Sequence, residues 1–177
     1  METPGSNSPF ALAALEHIDA LYGYAMTLTR DKTEAEDLVQ ETYLRAVRAA
    51  NQPAPEGNLK AWLFVVMRNA WLNIARHKQH GLQLFQFERD ESTGAAENPH
   101  VIYLRKLERD LVREAIASLP DRYREIVVLR DIEGLSYQEI AAVLNCPAGT
   151  VMSRLGRARG KLRNALSARQ KDNRLYG

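Results

Sequence analysis

Residues 136–163 constrain this chain more than any other stretch. They read Ser-Tyr-Gln-Glu-Ile-Ala-Ala-Val-Leu-Asn-Cys-Pro-Ala-Gly-Thr-Val-Met-Ser-Arg-Leu-Gly-Arg-Ala-Arg-Gly-Lys-Leu-Arg. Ser136 followed by Glu139 is the signature of a capping box, so a helix begins there. Ile140, Ala141 and Leu144 form its apolar side, and the small Ala141 permits a crossing helix to approach closely. Asn145 stands where a sharp turn needs a residue that tolerates the left-handed conformation. Pro147 suits the first position of the next helix, where no backbone donor is needed. Val151, Leu155, Ala158 and Leu162 then recur at spacings of four, three and four, which makes one buried stripe. The pattern is a helix-turn-helix, and it predicts a helical domain around it.

The other faces of that second helix carry cations and no acid. Arg154, Arg157 and Lys161 flank one side, and Arg159 and Arg163 the other. Opposite the apolar stripe lie Gly149, Ser153, Gly156 and Gly160. Small residues between rows of cations let a helix backbone sit deep in a major groove while the cations reach phosphates. A solvated basic helix would have no use for glycines, which weaken a helix.

The 177 residues are 45% hydrophobic and 26% charged, an ordinary globular composition with room for one domain or two small ones. The net charge is only +2, so the chain is no general polycation. Its charge is segregated, with acids crowded near 31–41 and bases near 154–169, which suggests different partners for different parts. The single cysteine, Cys146, excludes an internal disulfide and a Cys-x-x-Cys site. No apolar run is long enough to span a membrane, and the polar N-terminus lacks the regions of a signal peptide. A cytoplasmic protein without direct membrane contact is expected.

The fold class expected is all-α. One helix starts at Pro9, with Phe10, Ala14, Ile18, Leu21, Ala25 and Leu28 as its core stripe. A second runs from near Lys32 to about Ala50, with Ala35, Leu38, Val39, Thr42, Ala46 and Ala49 inward. The Pro- and Gly-bearing run 51–58 breaks the chain. A third helix runs from about Leu59 to His80, carrying Trp62, Leu63, Val66, Ala70 and Ile74. Residues 81–100 read as a linker, although Leu82, Leu84, Phe85 and Phe87 are too apolar for an inert tether and should touch a domain of this chain or a partner. Helices from about Val101 to Ser118 and from Pro120 to Ile132, then a Glu133-Gly134 turn, lead into the helix-turn-helix, and the polar tail after Ser167 should fray. The organisation expected is a domain over 9–80, a linker over 81–100 and a second domain over 101–168.

No catalytic constellation is present, and no cofactor is expected. His77 and His80 lie one helical turn apart, but no third ligand is near in sequence and Arg76 and Lys78 would repel a metal ion. On the second helix Glu34, Asp37 and Glu41 recur at spacings of three and four, beside Gln40. With Arg45 and Arg48 late in that helix, the order of charges complements its dipole. The mixed surface of Glu34, Asp37, Leu38 and Glu41 also reads as a docking face for basic helices. The third helix mixes Trp62, Phe64 and Trp71 with Lys60, Arg68, Asn69, Asn73, Arg76, His77 and Lys78. Rings among cations hold single-stranded nucleic acid, while a tryptophan such as Trp62 more often packs into a core.

Three motifs in order resemble one family. Thr33-Glu-Ala-Glu-Asp-Leu-Val-Gln-Glu-Thr-Tyr-Leu-Arg-Ala46 resembles the core-enzyme-binding helix of extracytoplasmic-function sigma factors. Lys60-Ala-Trp-Leu-Phe64 with Arg68, Asn69 and Arg76 resembles their minus-ten segment. Leu119 to Arg130, Gly134 to Ala141 and Gly149 to Arg154 resemble their minus-thirty-five domain, so the likeness covers about Phe10 to Leu166. It implies a dissociable promoter-specificity subunit of bacterial RNA polymerase. Glu34, Asp37, Leu38, Gln40 and Glu41 would bind the clamp helices of the β′ subunit. Asn58, Leu59, Lys60, Trp62, Arg68, Asn69, Asn73, Arg76 and Lys78 would capture and open minus-ten DNA, with the loop before Trp62 accepting a flipped base. Gly149, Thr150, Ser153, Arg154, Arg157, Arg159 and Lys161 would read minus-thirty-five DNA, and the helix from Pro120 would meet the β flap. Asn73 stands where many members have Asp, Gly156 where many have a larger polar or aromatic residue, and Gly160 where many have Glu; these departures bear on base preference. The chain ends soon after the DNA-binding helix, which implies control by a separate anti-sigma protein. The alternative from the residues alone is a helix-turn-helix regulator that binds operator DNA as a dimer, but the first half offers neither a heptad seam nor an evident ligand pocket.

Overall fold

The computed structural model describes residues 9–49, 57–81 and 101–175, with side chains over 9–49, 57–77 and 109–168. Every regular element among these residues is helical. They are α1 (Pro9–Leu15), α2 (Ile18–Thr29), α3 (Lys32–Ala49), α4 (Leu59–Gly81), α5 (Val101–Ala117), α6 (Asp121–Val127), a π-helical segment (Val128–Ile132), α7 (Tyr137–Leu144) and α8 (Ala148–Leu175). Two small helical domains result, α1–α4 and α5–α8.

In the first domain α3 packs on α2 and α4. Its inward residues fall where the 3.6-residue period puts them: Ala35, Leu38, Val39, Thr42 and Ala46 are buried. The Thr42 hydroxyl donates to the Leu38 carbonyl at 2.7 Å, so its burial leaves no orphaned donor. Tyr24 and Phe64, both fully buried, meet edge to face at 4.9 Å between centroids.

Two expectations for this domain need correction. The first predicted helix is two, because the chain turns at Glu16–His17, where the His17 amide donates to the Ala14 carbonyl. The turn swings Ile18 out to 45% exposure and Tyr24, absent from the predicted stripe, into the core. In α4 the buried residues are Ala61, Leu63, Phe64, Met67 and Ala70, with Trp62, Val66 and Ile74 only half-buried. The reason is that α4 is sandwiched: α2 and α3 cover one side and α7 of the other domain covers another, so its burial is wider than a single stripe.

In the second domain, α6, α7 and α8 close around Tyr123, Ile126, Leu129, Leu135, Ile140, Val143, Val151, Leu155 and Ala158. The helix predicted over 120–132 widens after Val127 into a π turn, in which the Glu133 amide reaches back to Val128 O at 2.9 Å. Gly134 then takes φ +73°, a backbone that favours glycine. The expected fraying after Ser167 is not seen, since α8 continues to Leu175. The predicted linker residues Leu82, Leu84, Phe85 and Phe87, the loop 50–56 and the His80 side chain lie outside the described residues.

Candidate nucleic-acid interface

The helix-turn-helix is built by its two ends. Ser136 Oγ accepts from the Glu139 amide at 3.2 Å while Glu139 Oε2 accepts from the Ser136 amide at 2.7 Å, a reciprocal capping box. That backbone donor holds the Glu139 carboxyl below the usual glutamate range, against a smaller opposing effect of burial. At the other end Asn145 adopts φ 49°, ψ 54°. The amide of Cys146 bonds to Ala141 O and that of Asn145 to Ala142 O, which closes α7 in a Schellman motif. Pro147 lies one residue ahead of α8 and its carbonyl accepts from Thr150 and Val151.

With Val151, Leu155 and Ala158 buried, α8 turns Gly149, Ser153, Gly156 and Gly160 to solvent, with Met152 among them. A Cβ added at any of these three glycines would meet nothing within 4 Å. Nothing inside the chain therefore requires glycine there. Arg157 is exposed, and Arg154 and Thr150 are half-buried. Arg159 instead turns back to pair with Asp131 of the π segment, a bond that raises the guanidinium above its usual pKa. Lys161 lies 5.7 Å from the centre of the Tyr123 ring.

The predicted minus-ten residues divide in two. Asn69, Asn73 and Arg76 are exposed on α4, with Arg76 Nη1 donating to Asn73 Oδ1 at 3.2 Å. Asn58, Lys60 and Arg68 face acids of the second domain. Asn58 Nδ2 donates to Glu139 Oε1 at 2.7 Å, while Asn58 Oδ1 accepts from the Lys60 amide at 3.0 Å and so caps α4. Lys60 Nζ lies 2.7 Å from Glu133 Oε2 and donates to Glu133 O at 3.0 Å. Arg68 Nε and the Tyr24 hydroxyl both donate to Glu125 Oε1, at 2.8 Å and 2.6 Å. Burial, then the neighbouring Glu125, pushes the Tyr24 phenol well above its usual pKa. Leu59 and Trp62 are half-buried, and Trp62 meets Phe10 edge to face at 6.0 Å. Trp62 thus serves the core in part, as a tryptophan commonly does. The side chain of Lys78 lies outside the described residues.

On α3, Asp37 and Gln40 are exposed and Glu41 is half-exposed with Arg45 Nε at 2.6 Å. Glu34 lies in the first turn of the helix, its amide donating to Asp31 Oδ1 at 2.8 Å. Leu38 must be removed from this face: it is 1% exposed and packs in the domain core. Leu38 follows Asp37 directly in sequence, but the helical period that buries Ala35 and Thr42 turns it inward. Among the described residues no group of His, Cys, Asp and Glu could hold a metal ion, and no helix is long and apolar enough to cross a membrane.

The fold and faces define a helical protein with a helix-turn-helix in one domain and an exposed acidic helix in the other. The family model described as Sigma-70 region 2 matches residues 14–81, and that described as Sigma-70, region 4 matches residues 109–162. The chain is 34% identical over 148 residues to the ECF RNA polymerase sigma factor EcfG of Rhodopseudomonas palustris, covering 84% of this chain and 80% of that one. It is 38% identical over 154 residues to the ECF RNA polymerase sigma factor SigE of Mycolicibacterium smegmatis, covering 86% of this chain but 59% of that relative. Its fold is similar to the sigma factor RpoE crystallised with the anti-sigma factor NepR from Bartonella quintana, with a TM-score of 0.72, 28% identity and coverage of 89% of this chain and 96% of that one. The chain belongs to the extracytoplasmic-function sigma factors, alternative sigma factors that direct transcription initiation by RNA polymerase.

Proposed function

We propose that the two domains, 9–80 and 101–168, divide the work of promoter recognition, with 81–100 joining them. The chain acts in the cytoplasm as a regulatory DNA-binding subunit rather than an enzyme. Asp37, Gln40 and Glu41, with Glu34 at the start of the same helix, dock on the β′ clamp helices of core RNA polymerase. The α4 segment from Asn58 to Lys78 captures and opens minus-ten DNA. The α8 face reads minus-thirty-five DNA, with Gly149, Ser153 and Gly156 letting the backbone approach the bases and Arg154 and Arg157 holding phosphates. Arg159 and Lys161 brace α8 against Asp131 and Tyr123 of its own domain. The helix from Pro120 meets the β flap. Release from a separate anti-sigma protein controls the factor, as the solved complex of the Bartonella relative with NepR suggests.

The observation that carries this reading is the pairing, in one chain, of an acidic exposed helix with a glycine-lined cationic one. Charge reversal across a docking interface is costly. Asp37→Lys with Glu41→Lys should abolish co-purification with sigma-free core polymerase while the circular dichroism spectrum stays helical. Unchanged core binding would make the acidic face a solvated helix surface only.

A further inference from the structure

Between Ala148 and Gly156, the exposed residues of α8 are Gly149, Met152, Ser153 and Gly156. Two of them have no side chain, and the Ser153 hydroxyl donates to the Thr150 carbonyl at 3.1 Å. Met152 is the one long side chain among them, and it is 57% exposed. Gly149 lies about one turn before it and Gly156 about one turn after it on the helix surface, so neither offers it a side chain to pack against. Arg154 and Arg157 project from other sides of the helix, and Arg159 is paired with Asp131. None of the exposed residues in this stretch carries the amide, carboxylate or guanidinium that hydrogen-bonds a base edge. A single exposed apolar residue is ordinary on a protein surface. This one stands in the N-terminal turns of a recognition helix, where base edges are met.

We propose that Met152 is a specificity-determining residue that selects thymine in the minus-thirty-five element, by apolar contact between its thioether end and the thymine C5-methyl group. In the major groove that methyl is the apolar mark by which base pairs differ, and the other marks are donors and acceptors. A thioether donates nothing and accepts only weakly, so it gains little from an amino or keto edge and most from a methyl. Its flexible chain can follow the groove. The glycines around it let the helix backbone come close, which carries the methionine tip past the sugar-phosphate rim to the bases. Arginine contacts to phosphate supply affinity that carries no sequence information. Met152 adds a preference for A·T over G·C, and for the strand on which the thymine stands. This inference rests on reading α8 as the minus-thirty-five helix.

The test uses the full chain assembled with core polymerase, and a promoter duplex selected by the wild-type holoenzyme. Each thymine of the minus-thirty-five element, on either strand, is replaced in turn by deoxyuridine, which lacks only the C5-methyl group. At one position or two neighbouring ones the replacement should weaken wild-type binding about three- to fivefold, the effect of burying one methyl group. Met152→Ala should bind the thymine promoter more weakly by a similar factor, and the same deoxyuridine should then cost nothing further. The position is exposed and alanine is the better helix former, so this variant keeps its fold. A selected element without thymine on either strand overturns the proposal. So does a wild-type holoenzyme indifferent to every deoxyuridine, or a loss that is undiminished in Met152→Ala. The minus-thirty-five reading fails separately, if exchanging that whole element leaves binding by the wild-type holoenzyme unchanged.

Discussion

Gly156 and Gly160 occupy helical positions that no contact within the chain reserves for glycine. Each sits inside a helix, exposed, with room for a Cβ. Replacing both by alanine should stabilise the fold by about 1 kcal/mol per site, because glycine loses the most backbone entropy in a helix. The same change should weaken binding to a promoter duplex selected by the wild-type holoenzyme, since it thickens the groove-facing side. A variant that gains melting temperature and keeps full affinity would show that the backbone does not approach the bases there. The cations divide in the same way. Arg157→Ala should lower the salt dependence of duplex binding by about one unit, the loss of one phosphate contact. Arg159→Ala should change the slope less, because its partner in the free protein is Asp131. Equal slopes for the two variants would contradict that division.

At the level of single elements, legibility followed locality. The capping box, the left-handed Asn145 and the α8 stripe were readable because each is set by residues within a few positions of one another. So was α3, whose ends and inward face follow its period. The break between α1 and α2 was not readable, because Phe10, Ala14, Ile18 and Leu21 continue an unbroken apolar period across it. The π segment was equally silent, since Val128–Ile132 has an ordinary helical composition. The cap on α7 makes a pH-dependent prediction. Glu139 has a depressed pKa in the folded protein, so its contribution is present above the unfolded value of about 4.3 and is lost as pH falls through the lower folded value. Chemical denaturation should therefore show Glu139→Gln losing less stability than wild type between about pH 5 and pH 3. Ser136→Ala should cost about 1 kcal/mol at neutral pH, where the cap is complete. Identical acid profiles for Glu139→Gln and wild type would place the pH sensitivity in other carboxylates.

Across the whole molecule, the exposed and buried faces of α3 and α8 were legible in the sequence, but the seam between the domains was not. Arg68 and Glu125 stand 57 positions apart, and Asn58 and Glu139 stand 81 apart. No period or motif links residues so distant, and only the packing of α4 on α7 and of α2 on α6 brings them together. The sequence marked Asn58, Lys60 and Arg68 as groups seeking acceptors without showing that this chain carries acceptors of its own. As an alternative sigma factor, the chain should confer promoter choice on RNA polymerase. The most direct measurement is transcription from fragmented bacterial genomic DNA by sigma-free core polymerase, with and without the protein, followed by mapping of transcript 5′ ends. New start sites should appear only with the protein and should share upstream minus-thirty-five and minus-ten elements. No new start sites, with the protein bound to duplex DNA as a dimer, would contradict it.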